Sequence, residues 1–522
     1  MRQFVLIGGG HASATAARTL RRLGFDGRIV LVGDEPHAPY QRPPLSKEFL
    51  VEDEPDMDGI WSVSAGWCAE HDVVLRTGAR AESIDVATHA VTLDDGMVLP
   101  ADAVLIATGV RPRPLPGATS SRLFYLKTIE DAAAIRAAMV PGARIAIVGA
   151  GFIGLEVAAA ARARGADVTV FETAEVPLAH ILGARIGSVV ADLHREHGVD
   201  LRTGVTVSAV EDVEGGVRVT ASDGSVTRAD IVVVGIGTIA NDEIARASEI
   251  TVGNGIRVDQ YCRTSAPGVY AAGDVANHYH AGIEGRARVE HFDNAARQAM
   301  AAARNMMGER TEYKDVHWFW SDQYDVNMQF AGHAAGWDRI VIRGSPDERD
   351  FSAFFMKGER MVAAFGMDRG GDVMLARTLI AERGSPGDAV LADDDIDLEE
   401  VVMAQDAETG DGTDTDADEE AGYERVARSG QIGEGIVRRF VAADIELAVA
   451  RSNGRIYALH NVCTHLACKL AAGKVEADGL TCLCHGSIFE LATGMPINPP
   501  ATVAVKTFPT LERDGQIFVK VR

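Results

Sequence analysis

Phe4-Val5-Leu6-Ile7-Gly8-Gly9-Gly10-His11-Ala12-Ser13 is the stretch that decides the fold. Four apolar residues run into three glycines and then into small and basic residues at helical spacing. This pattern predicts a strand over 4–7, a tight turn, a helix over 12–23 and a second strand over 28–32. In such a unit Gly8 permits the turn. Gly10 lets a diphosphate approach the backbone at a helix N-terminus, where unpaired N–H groups and the helix dipole attract negative charge. Ser13 stands where a third glycine is usual, and a residue this small still allows close helix packing. Glu35 follows the second strand, the place from which an acid binds adenosine ribose hydroxyls.

The same grammar returns with a strand over 144–148, a helix over 152–164 and a strand over 167–171. Here Gly149-Ala150-Gly151-Phe152-Ile153-Gly154 is a complete fingerprint, with Gly149, Gly151 and Gly154 in the three glycine places. Glu172 ends the next strand. Its carboxylate accepts ribose hydroxyls and repels a 2′-phosphate, and Phe171-Glu172-Thr173-Ala174 contains no arginine, so NADH is expected rather than NADPH. Apolar runs at 103–107 and 231–234 each lead into glycine and close the two units. From residue 313 the pattern changes to shorter alternating stretches, at 339–343 and 361–366, followed by a helix over 373–383, as in a separate α+β domain. After Gly422 the chain becomes strand-rich with regular turns, as in a small all-β domain.

Working outward, 522 residues suffice for several domains, and 47% hydrophobic content supplies a large core. The formal charge of −24 is concentrated: 15 acids and no Lys or Arg fall between Asp388 and Glu420, and without them the balance is −9. This acidity excludes nucleic acid and anionic membrane as partners. Residues 403–421 contain no aromatics and read as a solvated, self-repelling linker. The apolar start is too short for a signal-peptide core and no later run is long enough to span a bilayer, so a cytoplasmic location is expected.

Of six cysteines, Cys463, Cys468, Cys482 and Cys484 fall within 22 consecutive positions, which suggests a metal rather than a disulfide scaffold. Cys463-Thr464-His465 and Cys482-Leu483-Cys484-His485 form two candidate ligand loops. Two thiolates and two imidazoles suit tetrahedral zinc, or a Rieske [2Fe–2S] cluster with Cys463 and Cys482 on one iron and His465 and His485 on the other. The Cys-x-His and Cys-x-x-His spacing is unusual for a zinc finger, and the flanks favour iron. His278 and His280 read as loop residues rather than ligands.

Several motifs carry a family resemblance. Pro39-Tyr40-Gln41-Arg42-Pro43-Pro44-Leu45-Ser46-Lys47, Ala107-Thr108-Gly109, Gly268-Val269-Tyr270-Ala271-Ala272-Gly273-Asp274 and Trp318-Phe319-Trp320-Ser321-Asp322-Gln323-Tyr324 resemble segments of the FAD-dependent NADH:ferredoxin reductases of bacterial oxygenase systems. Val289-Glu290-His291-Phe292 resembles a stretch of the related apoptosis-inducing-factor proteins. The likeness covers roughly residues 1–400. It implies an α/β chain with two Rossmann-like dinucleotide-binding domains, an FAD domain from 1–111 with 240–312 and an NAD domain from 112–239. A reductase C-terminal α+β domain over 313–402, the linker 403–421 and an all-β Rieske domain over 422–522 would follow.

By the same resemblance Arg42 and Lys47 lie on the flavin side, with Thr108 and Gly109 in the FAD site. Asp274 holds the ribityl chain, Trp320 lies near the isoalloxazine and Glu156 faces the nicotinamide, so that Lys47, Glu156 and Trp320 are the catalytic candidates. Disulfide reductases of the superfamily carry a cysteine pair where this chain has Arg42 to Lys47, so the electrons are expected to leave by another route. The two cysteine loops resemble those of respiratory Rieske proteins, which implies a disulfide between Cys468 and Cys484. Those proteins place a tyrosine where Phe489 stands here, and Ser487 is the remaining hydroxyl donor, so a lower potential than theirs is expected.

NADH delivers a hydride, an iron–sulfur cluster accepts single electrons, and a flavin converts between them. The expected order is NADH, FAD, the chain's own cluster, then a terminal oxygenase component or other acceptor protein. An NADH-responsive signalling protein and an NADH oxidase are the alternatives, and the oligomeric state is left open.

Overall fold

The strand Gln3–Ile7 is buried from Phe4 onward and sits at the centre of a five-stranded parallel sheet. Its neighbours are Arg28–Val32 and Ala103–Ile106, with Val73–Arg76 and Val269–Ala271 at the edges. A strand buried on both faces needs the continuous apolar run that Phe4 to Ile7 supplies. The edge strand Val269–Ala271 brings a distant part of the chain back into this first sheet. The helix His11–Arg22 covers one face and packs against the helix Phe292–Met306, both through alanine-rich surfaces that let the axes approach closely.

A second parallel sheet repeats the plan, in the order Asp200–Arg202, Asp167–Phe171, Arg144–Val148, Ile231–Val234, Leu123–Tyr125. The helix Phe152–Ala163 opens directly from its glycine turn. An antiparallel five-stranded sheet follows, comprising Trp318–Gln323, Val326–Gly332, Arg360–Met367, Asp350–Lys357 and Arg339–Ser345. Phe351, Phe355 and Phe365 fill the same hydrophobic cluster as Leu155, Ile186 and Val190 of the second nucleotide-binding unit. The strand Trp318–Gln323 therefore packs beside the helix Phe152–Ala163.

The structure is a computed structural model that describes the whole chain except residues 58, 399–400, 402–421, 444, 466–467, 477–478, 483–485, 499–500 and 522. The expected linker 403–421 lies outside the described residues. The chain separates into two compact units, Met1–Arg369 and Gly370–Arg522, a boundary inside the segment read from sequence as 313–402. The first unit holds the three sheets above.

The second unit contains the helix Gly370–Glu382 and three antiparallel sheets. Val437–Ala442, Ile445–Ser452, Arg455–His460 and Thr507–Phe508 form one; Lys474–Glu476, Gly479–Thr481, Ile488–Phe489 and Pro496–Asn498 form another. Tyr423–Arg428, Gln516–Lys520 and Thr510–Arg513 make the third. The period of two in Leu447-Ala448-Val449-Ala450 is informative. Leu447 and Val449 enter a core with Phe508 and Ile517, while Ala448 and Ala450 face the core that contains Cys463 and Cys482.

His278 and His280 depart from the loop reading. Both are buried in the strand Ala276–His280, where Gln298 Nε2 lies 2.9 Å from His278 Nδ1 and His317 Nε2 lies 3.2 Å from His278 Nε2. Alternating residues with polar side chains hid a strand whose histidines are paired with buried partners.

Candidate functional site

The two glycine turns divide their work by position. At Gly8 (φ 122°) a Cβ would lie 2.1 Å from the Ala107 carbonyl oxygen, and at Gly149 (φ 102°) it would lie 2.4 Å from that of Gly235. These two make the turn possible. A Cβ on Gly154 would sit 2.1 Å from the Gly149 carbonyl oxygen, so this glycine lets the helix close onto the turn. Gly10 and Gly151 meet nothing within 4 Å. Both face open space at a helix N-terminus, and that space fits a diphosphate. Ser13 is fully buried on the helix, consistent with a packing role.

Both turns open into one continuous cleft of about 1640 Å³. A single small-molecule pocket is roughly 300–1,000 Å³, so this cleft is large enough for more than one ligand. Glu172 lies on its wall and accepts hydrogen bonds from the backbone N–H groups of Ala150 (2.7 Å) and Ala174 (2.8 Å). The carboxylate is thereby fixed beside the second glycine turn. Arg202 stacks over Phe171 at 5.5 Å, an arginine that the local sequence did not reveal, but its guanidinium is tied to Asp200 at 2.7 Å. Glu35 lies on the same cleft and pairs with Arg42 at 2.5 Å. Arg42 also donates to Tyr40 Oη and to the Lys127 carbonyl, so it braces the acid of the first site.

Lys47, Glu156 and Trp320, distant in sequence, line this one cleft. Lys47 Nζ lies 2.9 Å from Glu156 Oε2, and the two side chains are 13% and 3% exposed. Burial at this level sets them apart from an ordinary surface lysine and an ordinary helix-end acid. Ser46 Oγ donates to the same carboxylate oxygen, and Ser321 Oγ donates to Oε1 at 2.6 Å. Trp320 stacks on the fully buried Trp318 (centroids 5.4 Å apart) and meets the edge of Phe292 at 5.9 Å. Phe292 in turn stacks on His11 at 3.9 Å, giving the cleft an aromatic wall.

Thr108 and Gly109 also line the cleft. Thr108 Oγ1 donates to the Asn241 carbonyl at 2.6 Å and Gly109 takes φ 65°, so this turn is held by a segment far along the chain. Asp274 lies in a single turn of 3-10 helix, half-buried, with Lys127 Nζ 3.9 Å away. Burial raises the Asp274 pKa, opposed by the charge of Lys127, and burial lowers that of Lys127. Sequence reading missed Lys127. The capping box of Thr128 and Asp131 fixes it just before the helix Ile129–Ala138, and the capping pattern was the available signal. Ser46 and Ser321 lay inside quoted motifs without a role.

In the second unit Cys463 and Cys482 are buried thiols outside any disulfide, in one hydrophobic cluster. Backbone bonds close their loops, from Cys463 N to Cys468 O at 2.8 Å and from Cys482 N to Ser487 O at 2.7 Å. His465 is half-buried. Cys468 is disulfide-bonded, whereas Cys484 and His485 lie outside the described residues. Among the described residues no three His, Cys, Asp or Glu side chains converge on a single metal ion. A two-iron cluster takes two protein ligands per iron, so two buried thiols on separate loops with a half-buried imidazole on one of them fit it.

Comparison with known proteins agrees with this geometry. The pyridine nucleotide-disulphide oxidoreductase model matches residues 2–299, the reductase C-terminal model 318–402 and the Rieske [2Fe–2S] domain model 423–509. Rhodocoxin reductase of Rhodococcus erythropolis is 40% identical over 397 residues, covering 76% of this chain and 93% of that protein. The ferredoxin–NAD(+) reductase component of the p-cumate 2,3-dioxygenase system of Pseudomonas putida is 40% identical over 405 residues, covering 77% and 98%. Among solved structures, the covalent putidaredoxin reductase–putidaredoxin complex matches with a TM-score of 0.75 at 34% identity, covering 78% of this chain and 99% of that one. FAD, NAD(H) and a [2Fe–2S] cluster are the cofactors these domains imply. The chain belongs to the pyridine nucleotide-disulphide oxidoreductase family, among the ferredoxin–NAD(+) reductases of oxygenase systems, and carries a Rieske domain in the same polypeptide.

Proposed function

We propose that this protein oxidises NADH at the cleft of its first unit and delivers the electrons, one at a time, to its own Rieske cluster and then to a terminal oxygenase component in the cytoplasm. The observation that carries the reading is the buried Lys47–Glu156 pair, which lines one continuous cleft together with both glycine turns. FAD, when bound, accepts a hydride from the nicotinamide and releases electrons singly.

The protein's own groups have distinct tasks. The turns at Gly8 to Gly10 and Gly149 to Gly151 hold the diphosphates, and Glu35 and Glu172 select the riboses. Lys47 presents a positive charge at the flavin side, Glu156 holds that charge in place beside the nicotinamide, and Asp274 with Lys127 contacts the polyol. Trp320 and Phe292 keep water from the reacting faces. Cys463, Cys482, His465 and His485 hold the cluster, with the imidazoles as the exit for electrons. Fusion places the cluster at an effective concentration on the order of millimolar for its reductase, so no separate ferredoxin encounter precedes the first transfer.

Anaerobic titration of the full chain with NADH tests this. Flavin and Rieske absorption bands should bleach together. Cys463→Ser should abolish cluster bleaching and cytochrome reduction while leaving the flavin reducible. Loss of flavin reduction in that variant, or an iron-free tail in the parent protein, would count against the relay.

A further inference from the structure

Glu156 is held from behind by a chain of hydrogen bonds. Ser321 Oγ lies 2.6 Å from Glu156 Oε1, Gln323 Nε2 lies 3.0 Å from Ser321 Oγ, His194 Nε2 lies 2.8 Å from Gln323 Oε1, and Tyr324 Oη lies 3.0 Å from His194 Nδ1. Ser321, Gln323 and His194 are at most 1% exposed, and the chain ends at the half-buried Tyr324 ring stacked on His197 at 3.6 Å. Burial lowers the His194 pKa to about 4, opposed by its bond to Gln323, so the imidazole is neutral and carries one N–H.

Donor arithmetic then sets the direction of every link. Lys47 and Ser46 donate to Glu156 Oε2 and Ser321 donates to Oε1, so both carboxylate oxygens accept. Ser321 has one proton and gives it to Glu156, so it must accept from the Gln323 amide. The Gln323 carbonyl then faces His194 and takes the Nε2–H. Nδ1 is left as an acceptor, and Tyr324 donates to it. All four donors point toward Glu156. The charge of Arg162 acts on Tyr324, His197 adds to the lowering at His194, and Asp322 lies between Ser321 and Gln323 on the strand.

We infer that Ser321, Gln323, His194 and Tyr324 are positioning residues that hold the Glu156 carboxylate turned toward Lys47. The inference rests on the proposed placement of Glu156 at the nicotinamide. It assigns the polar part of the Trp318–Gln323 strand and the following turn a task distinct from that of Trp320. An amide in the third place cannot pass a proton onward without leaving its stable form, so the chain orients and does not conduct.

Three measurements on the full, flavin-loaded chain test this. Nitrogen NMR of labelled histidine should show His194 as the Nε2–H form near neutral pH; an Nδ1–H form overturns the inference whatever the variants do. Ser321→Ala removes one charge-assisted bond and should slow flavin reduction by NADH about tenfold to a hundredfold, with the Kd for NADH changed less than about threefold. His194→Leu should do the same, while His194→Gln, which keeps a donor, should retain most of the rate. Variants that lose thermal stability with the rate of flavin reduction unmoved would show a merely structural chain and overturn the inference. Wild-type rates in Glu156→Gln would instead overturn the placement of Glu156, a separate result because the histidine spectrum still reads the direction of the chain.

Discussion

Lys47 Nζ and Glu156 Oε2 lie 2.9 Å apart, and the two residues come from different nucleotide-binding segments of the chain. A buried pair of this kind contributes little net stability, because desolvating both charges offsets their attraction, but losing one partner strands the other. Lys47→Met and Glu156→Gln should each destabilise the first unit by about 3–5 kcal/mol at most, less for Glu156→Gln because the lysine it strands is partly exposed. The double variant should be more stable than the sum of the singles, as a double-mutant cycle in urea would show.

The glycine turns predict two different failures from similar substitutions. Gly151→Val projects into open space, so the melting temperature should stay within a few degrees while NADH binding weakens at least about tenfold. Gly154→Val drives a side chain onto the Gly149 carbonyl and should destabilise the first unit by about 1–3 kcal/mol or more. Calorimetry paired with NADH titration distinguishes them. Equal effects of the two substitutions on stability would refute this division of labour.

Coenzyme choice should turn on Glu172. Replacing Glu172 with Ser and Thr173 with Arg removes the carboxylate and adds a cation for a 2′-phosphate, so the ratio of kcat/KM for NADH over NADPH should fall by about tenfold or more. Steady-state kinetics with both coenzymes checks it, and an unchanged ratio would place the ribose elsewhere.

Buried neutral histidines set the acid limit of the first unit. Burial lowers the pKa of His11 to about 3, with Arg18 adding to the fall and Asp293 opposing it. Burial also lowers His278 to about 3, and His194 and His291 to about 4. Below the ordinary histidine pKa of about 6.5 the unfolded chain takes up protons that the folded one refuses, so stability rises with pH across that window and is lost as pH falls from about 6.5 toward about 3. Each such histidine should cost on the order of 1–2 kcal/mol at a pH near 5. Melting temperatures of the first unit measured from neutral pH downward should therefore fall steeply. His278→Asn should flatten the slope; a slope that it leaves unchanged would remove His278 from the account.

The Rieske midpoint should respond to Phe489. This ring is fully buried on the strand Ile488–Phe489, beside Ser487, whose Oγ accepts the Ala501 N–H at 2.9 Å, a bond that does not use the hydroxyl proton. Phe489→Tyr adds a donor near the cluster loops and should raise the midpoint potential, measured by redox titration. A fall, or no change, would mean that the added hydroxyl points away from the cluster.

Much of this protein was decided by local pattern. Apolar runs ending in glycine, the period of two in the final hundred residues and the paired cysteine loops identify two nucleotide-binding units and an all-β Rieske domain, because strand, turn and helix geometry act over only a few residues. Tertiary structure alone decided which distant groups meet. It brought Val269–Ala271 to the edge of the first sheet, buried His278 in a strand and set Ser321 against Glu156. It also laid Arg202 over the ring of Phe171. Such contacts depend on how sheets and helices pack across long loops, and a side chain's charge state follows from the neighbours it then acquires. No spacing rule along the chain carries that information.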